Sequence, residues 1–363
     1  MKYLIGAFFL VFLSSCTNEI EKPVTIKEDV VFLSDDALEG RQTGTIGEKT
    51  AANYIAKRFK NLGIEGKGTS NYLQAFTFKP KTNPHQKVNY TVKDGDSTIT
   101  GTNVLGFINN NAENTIVIGA HYDHLGYGAE GSLHRGEKAI HNGADDNASG
   151  VAVMLNLAEK LKEKNTGNNY LLMAFSGEEM GLLGSNYFVK NATIDTKKIN
   201  YMINMDMVGR LKADSTLAVY GVGTSPILKQ TLNAHNSNFK LIQKESGIGP
   251  SDHTSFYNAD IPVLHFFTGQ HEDYHKPSDD FEKLNYQGMQ TISNYIFEVI
   301  SDLDNNGKLP FRKTKNESEE TPRFKVGLGV IPDYLFDGNG MRIDGISEDK
   351  PAQKAGLQKG DIV

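Results

Sequence analysis

Six continuous apolar runs of strand length punctuate the chain, at residues 104–108, 115–120, 170–175, 201–205, 217–220 and 261–267. Runs without polar alternation predict strands buried on both faces, as in a parallel sheet covered by helices. Helical periodicity fills several of the intervals. Ala51, Ala52, Ile55, Phe59 and Leu62 share one helical face, with Gly63 as the stop. Val151, Met154, Leu155, Ala158 and Leu161 share another, with Asn147 or Ser149 as the cap. A third helix runs from Asn285 to about residue 302. Residues 76–102 alternate weakly around Asp94-Gly95, which predicts a hairpin. Strands alternating with helices define an α/β fold with a mostly parallel central sheet flanked by helices. Such sheets carry their sites at the carboxyl ends of the strands.

The two ends of the chain break this pattern. Met1-Lys2 precedes the apolar run YLIGAFFLVFL, too short to span a bilayer comfortably and shaped like a signal-peptide core. It ends in Leu-Ser-Ser-Cys16, which resembles a bacterial lipobox, so residues 1–16 are expected to be a lipoprotein signal with Cys16 as the lipidation site. That implies an exported bacterial lipoprotein held to the cell envelope, periplasmic or on the cell surface, through its lipid anchor. Residues 17–25 form a polar tether, 26–305 the main domain, 306–322 a charged linker, and 323–363 a separate small unit. Within the last, VGLGVIPDY and KPAQKAGLQKGDIV resemble the first part of a bacterial-type PDZ domain, a β-rich fold. Gly327-Leu328-Gly329 would be its carboxylate-binding loop and 351–357 its short helix and turn. A PDZ domain normally continues beyond the equivalent of Val363, so the unit is expected to be partial, capturing peptide C-termini only if complete.

A net charge of -6 and no basic stripe with interleaved aromatics exclude nucleic acid as a partner. Cys16 is the single cysteine, so any metal in the main domain must be held by nitrogen and oxygen.

Such groups recur where the fold would place a pocket. The run at 115–120 leads into His121-Tyr122-Asp123-His124, and a loop carries Asn142-Gly143-Ala144-Asp145-Asp146-Asn147 to the second helix. The run at 170–175 leads into Ser176-Gly177-Glu178-Glu179 and that at 201–205 into Asp206, while His275 follows the last run. Adjacent glutamates at the exit of a buried strand repel each other and are costly to desolvate. A cation resolves that cost, with one glutamate as ligand and its neighbour as base. His124 is better suited to the pocket wall than to ligation, and His134 and His141 fall in a polar loop that predicts solvation. Ser251-Asp252-His253 is no hydrolase triad, because no Gly-x-Ser-x-Gly elbow supports a serine nucleophile.

Together GAHYDHLG, NGADDNASG, FSGEEMGLLGS, NMDMVG and YHKPSDD resemble the cocatalytic two-zinc aminopeptidase family, which also contains glutamate carboxypeptidases and glutaminyl cyclases; the match runs over residues 31–303. The resemblance implies a zinc-dependent exopeptidase with peptide substrates and two zinc ions per chain. It implies that Asp145 bridges the ions, that His121 and Asp206 complete one and Glu179 and His275 the other, and that Glu178 is the general base. It further implies a cis bond between Asp145 and Asp146, and a Tyr274 hydroxyl that hydrogen-bonds the tetrahedral oxyanion. SDHTSF matches a family segment near the substrate pocket, where Asp252 and His253 serve structure as readily as substrate contact. Asp123 is suited to receive the other ring N–H of His121 and so to orient it, which leaves Asp123 and Asp146 as supporting residues.

The chemistry stands without the family. Imidazole and carboxylate suit zinc, and a pair of ions about 3.5–4 Å apart can polarise a carbonyl and supply hydroxide near pH 7. Aminopeptidase action is the leading expectation. Alternatives are a carboxypeptidase of the same family, which needs arginines in the pocket (only Arg41, Arg135 and Arg210 lie near the motif loops), and a non-catalytic binding protein on the same scaffold. Glutaminyl cyclases use a single zinc, whereas both ligand sets are complete here. The anchor expectation has its own test. Cys16→Ala should move the protein from the membrane fraction to the soluble one with peptidase activity intact, because lipid chains stabilise partitioning by about 0.8 kcal/mol per buried CH₂. Unchanged fractionation would contradict it.

Overall fold

The computed structural model describes residues 23–80, 90–128, 131–164, 167–315, 328–333, 336, 339–346 and 350–363. The signal run with Cys16, residues 316–322 of the expected linker and Gly327 lie outside the described residues.

All six expected strands are present. They are β3 (Ile99–Ile108), β4 (Thr115–His121), β5 (Asn169–Phe175), β6 (Ile199–Met205), β7 (Thr216–Tyr220) and β9 (Val263–Phe267). Three more join them: β1 (Glu65–Gly66), β2 (Leu73–Phe78) and β8 (Lys240–Lys244). The sheet runs β1-β3-β5-β4-β6-β9-β7-β8, with β2 also on β3. Its centre, β5-β4-β6-β9, is parallel. The flanks are mixed: β3 is antiparallel to β5 and β7 to β9, while β7 and β8 run parallel. The sheet is therefore parallel where it carries the strand exits and mixed outside them. The expected hairpin forms between β2 and β3, pairing Phe78 with Ile99.

Every residue of β4, β5 and β6 is buried, as continuous apolar runs require. Alternate side chains feed two cores. Ile116, Ile118 and Ala120 pack with Leu155 of α3 (Gly150–Glu163) and Ile296 of α7 (Tyr286–Leu303). Val117 faces the other way, toward Phe188 of α4 (Leu183–Lys190) and Phe256 of α6 (His253–Tyr257). Each fully buried Leu, Ile or Phe contributes about 1.5–3 kcal/mol, so the two cores hold the strand ends in fixed relation. Three helices close the first face: α1 (Ile26–Leu33), opened by a Thr25–Glu28 capping box, α2 (Ile46–Asn61), capped by Thr45, and α5 (Leu228–Ala234), which sends Leu228 and Leu232 into the same core. The last part of the chain pairs β10 (Val330–Pro332) with β11 (Ile343–Ile346) and carries a short helix, α8 (Pro351–Lys354).

One buried acid ties α2 to the strand exits. Glu48 is fully buried, and its carboxylate accepts from Gly44 N (2.6 Å), Thr102 N (3.0 Å), Ser176 Oγ (2.5 Å) and Tyr122 Oη (3.2 Å). Ser176 and Tyr122 directly follow β5 and β4, so this hub sets the two exits side by side. Burial pushes the Glu48 pKa up, the Asp123 charge adds to the rise, and the hydrogen bonds from Ser176, Gly44 and Thr102 oppose it only in part. Glu48→Ala would strand buried donors and should cost about 2–4 kcal/mol in denaturant unfolding, while Glu48→Gln, which keeps one acceptor oxygen, should cost less. A loss below about 0.5 kcal/mol, the range of an ordinary surface change, would contradict this role.

Candidate metal centre

The site lies at the carboxyl ends of the parallel strands. His121 ends β4 and is paired in register with Phe175, the last residue of β5, after which Ser176 and Gly177 turn the chain into Glu178-Glu179. Asp206 follows the end of β6. Asp146 comes from a tight turn at 144–149 that enters α3, and His275 from the loop after β9. Asn147 fastens the turn: its Oδ1 accepts from Gly150 N and Met207 N, and its Nδ2 donates to Met205 O.

Within the site, one carboxylate faces two groups. Asp146 Oδ1 lies 3.3 Å from His121 Nε2, which is itself 3.4 Å from Asp206 Oδ1. Asp146 Oδ2 lies 3.2 Å from His275 Nε2, which is 3.3 Å from Glu179 Oε2. A tetrahedral ion with ligands at about 2.0–2.1 Å separates those ligands by about 3.3–3.4 Å. The four separations match that spacing and sit at or beyond the long edge of the N–H···O range. The donor set, two imidazoles and three carboxylates with Asp146 shared, therefore fits two zinc ions. The Glu178 carboxylate lies within 4.8 Å of the His121 and Asp206 ligand atoms without being needed for either set.

The ring nitrogens are directed by their other ends. His121 Nδ1 faces the Asp123 carbonyl at 3.2 Å and its carboxylate at 3.7 Å, and His275 Nδ1 faces Gly131 O at 2.9 Å, which turns both Nε2 atoms inward. His275 (φ 55) and Met207 (φ 52), beside Asp206, hold the left-handed backbone region uncommon outside glycine. The Asp123 carboxylate accepts from Glu178 N (3.1 Å) and Thr43 Oγ1 (3.0 Å), so one residue positions both His121 and Glu178. Tyr274 stacks on His275 with centroids 3.8 Å apart.

Charge follows this geometry. Burial opposes ionisation of Asp146, yet His121 and His275 hold its pKa well below the usual range. Burial likewise opposes the charge on Glu179, and His275 with His124 brings its pKa down to about 2. Glu178 behaves differently. Burial pushes its pKa well up, Glu179 and Asp206 add to the rise, and His121 only partly offsets it. Two adjacent glutamates thus sit in opposite environments, the arrangement that separates ligand from base.

Several expectations are corrected. Asp146, and not Asp145, lies between the two histidines. Asp145 turns away, its Oδ1 accepting from Gly209 N (2.7 Å) and its Oδ2 lying 3.0 Å from His271 Nε2. The cis bond is Asp146–Asn147 rather than Asp145–Asp146. Both shifts are one residue along a turn whose adjacent aspartates look alike in sequence. His141 is buried rather than solvated, its Nε2 2.8 Å from Ser132 Oγ and its pKa lowered to about 4 by burial. His124 Nδ1 sits 2.8 Å from Glu179 Oε1, a hydrogen-bond distance rather than a ligand spacing, so it orients Glu179. Asp252 is buried, and burial followed by the Asp123 and Asp206 charges pushes its pKa up to about 7 against a partial offset from His121. His253 stacks on His265 at 4.5 Å. Sequence reading missed Asp279, which accepts from Asp145 N and Asp146 N (3.0 Å each), and the role of Arg41, which is wholly buried and donates to the carbonyls of Leu33, Tyr122, Asn142 and Gly143. Burial lowers the Arg41 pKa to about 10. Asp279 stood inside the YHKPSDD motif, and that was its only signal.

A strand-exit centre of paired imidazoles and carboxylates on an α/β sheet defines a class, and sequence comparison supplies the family. The model of Peptidase family M28 matches residues 103–300, more than half of the chain, and the chain belongs to that family. Among curated proteins it is similar to the alkaline phosphatase isozyme conversion protein of Escherichia coli (30% identical over 196 residues, 53% of this chain and 52% of that one). It is also similar to aminopeptidase YwaD of Bacillus subtilis (30% over 179 residues, 46% and 39%). The chain thus spans about half the length of the first and less of the second. Among solved structures, a Zn-dependent exopeptidase from Parabacteroides distasonis superposes with a TM-score of 0.62 at 19% identity, covering 77% of this chain and 97% of that one. A zinc aminopeptidase from Bacillus subtilis gives 0.59 at 19%, covering 81% and 97%. At those identities the structures establish the shared fold.

Proposed function

We propose that this chain is a zinc-dependent exopeptidase, an aminopeptidase that removes N-terminal residues from peptides. The observation that carries the reading is the Asp146 carboxylate, whose two oxygens each face a separate histidine–carboxylate pair at tetrahedral ligand spacing. His121, Asp146 and Asp206 would hold one zinc ion, and Asp146, Glu179 and His275 the other. Bound there, the ions supply polarisation of the scissile carbonyl and bring the pKa of water toward about 7.

The chain's own residues do the rest. Glu178, held by the Asp123–Glu178 N hydrogen bond, takes the proton of the attacking water and passes it to the leaving amine. Its raised pKa suits a group that must both accept and release a proton. Tyr274, stacked on His275, offers its hydroxyl to the oxygen that becomes negative.

Electrostatics favour an amino-terminal over a carboxyl-terminal substrate. Arg41 is consumed by backbone carbonyls, and Arg210 pairs with Asp273 at 3.2 Å, so neither is offered to a peptide carboxylate. Membrane attachment through Cys16 and a PDZ-like unit at 323–363 complete the proposal. Sequence pattern supports both, and the β10–β11 pair with α8 is compatible with the second.

Glu178→Gln should lower kcat on an aminoacyl-anilide by at least about 10²–10⁴-fold while zinc stays near two per chain by elemental analysis. Wild-type turnover, or zinc loss like that expected of Glu179→Ala, would show that the roles are wrong or exchanged.

A further inference from the structure

The two ligand sets are supported by different parts of the molecule. His121 and Asp206 sit at the ends of neighbouring strands, where Gly119 of β4 is in register with Asn204 of β6. Asn147 fastens the turn bearing Asp146 to the end of β6 through Met205 O and Met207 N. The first set thus rests on the sheet itself. His275 sits in the loop beyond β9, where its Nδ1 faces Gly131 O and its carbonyl accepts from Leu133 N. That loop is also tied to the Asp146 turn at two points, one on each side of His275. Four residues before it, His271 Nε2 meets Asp145 Oδ2 at 3.0 Å, with both side chains buried. Four residues after it, Asp279 accepts from Asp145 N and Asp146 N through Oδ2, each at 3.0 Å, and its backbone oxygen accepts from Ala144 N at 3.0 Å.

We infer that His271 and Asp279 are positioning residues that clamp the 271–279 loop onto the Asp145-Asp146 turn and thereby set the affinity of the His275–Glu179 side alone. The inference rests on the two-zinc reading above and concerns how the pair is held. Asp145, displaced from the bridging role, acquires one here: its carboxylate and its N–H receive the two ends of the clamp. Charge matches the geometry. Burial opposes a positive charge on His271, and Asp145 with Asp279 raises its pKa in spite of it. Releasing either end would let His275 drift relative to Asp146, while His121, Asp206 and the Asn147 anchor remain in place. Loss of groups that support metal ligands typically weakens binding about 10–100-fold, and the two-point attachment confines that loss to one ion.

The test is zinc binding by chelator competition on the full chain, without reference to turnover. Wild type should give two sites, and Glu179→Ala should remove one of them and so identify it. His271→Gln and Asp279→Ala should each weaken that same site about 10–100-fold and leave the other within about threefold. Asp279→Asn, which keeps an oxygen to accept the two N–H groups, should restore most of the affinity lost in Asp279→Ala. A role in folding alone would lower the thermal midpoint and shift both sites together. Equal weakening of both sites, or wild-type affinity at the identified site in His271→Gln, overturns the clamp, and His271→Gln decides the matter should Asp279→Ala fail to fold. A wild-type protein with fewer than two sites would instead overturn the two-zinc reading, so the two failures are distinguishable.

Discussion

The shared carboxylate of Asp146 is the constraint on which the rest of the site depends. Four carboxylates, on Asp146, Glu178, Glu179 and Asp206, converge at the carboxyl ends of the central strands. Like charges at such distances cost several kcal/mol unless positive charge lies between them. His121 and His275 supply part of it, which is why their pKa values are held well above the usual imidazole range against the opposing effect of burial. The spacing of the groups goes further than pairing requires, because it leaves each Asp146 oxygen in a separate half-shell. Glu178, left out of both, is the group whose charge the surroundings favour least.

That arrangement is expensive to assemble, and the fold distributes the work among residues that never reach the centre. Glu48, on α2, gathers donors from the loop before that helix, from β3 and from the exits of β4 and β5. Arg41 brackets the carbonyls of the strand exit and of the loop before the Asp146 turn. Asp123 fixes a ligand and the base at once. Buried charged groups are tolerated when every lone pair and proton is occupied, and each of these residues meets several partners. Gly143 shows how tight the packing is: its φ is +56°, and a β-carbon there would fall 2.2 Å from Asp146 O and 2.5 Å from the His124 ring.

Much of this was legible in the sequence, for a physical reason. Strands buried on both faces must be apolar throughout, so β4, β5, β6 and β9 announced themselves, and polar groups directly after them could only be at the sheet edge. His121, Glu178, Glu179 and Asp206 were found that way, and His275, in the loop beyond β9, through the YHKPSDD motif. The strand β8 was not, since a partly exposed edge strand reading KLIQK has no continuous apolar run. Asp145 and Asp146 were interchanged because residue type and spacing cannot say which of two neighbouring carboxylates a tight turn points inward. Arg41 was weighed as a possible substrate contact, and only the fold reveals that four carbonyls consume it. His141 looked solvated because its neighbours in sequence are polar, whereas the loop folds it under Ser132.

The most direct measurement is anomalous diffraction at the zinc edge from crystals of the zinc-loaded protein. The account predicts two peaks about 3.5–4 Å apart, each within coordination distance of a different oxygen of Asp146, with His121 and Asp206 on one and Glu179 and His275 on the other. A single peak, or two peaks joined through Asp145 with Asp146 turned away, would contradict it.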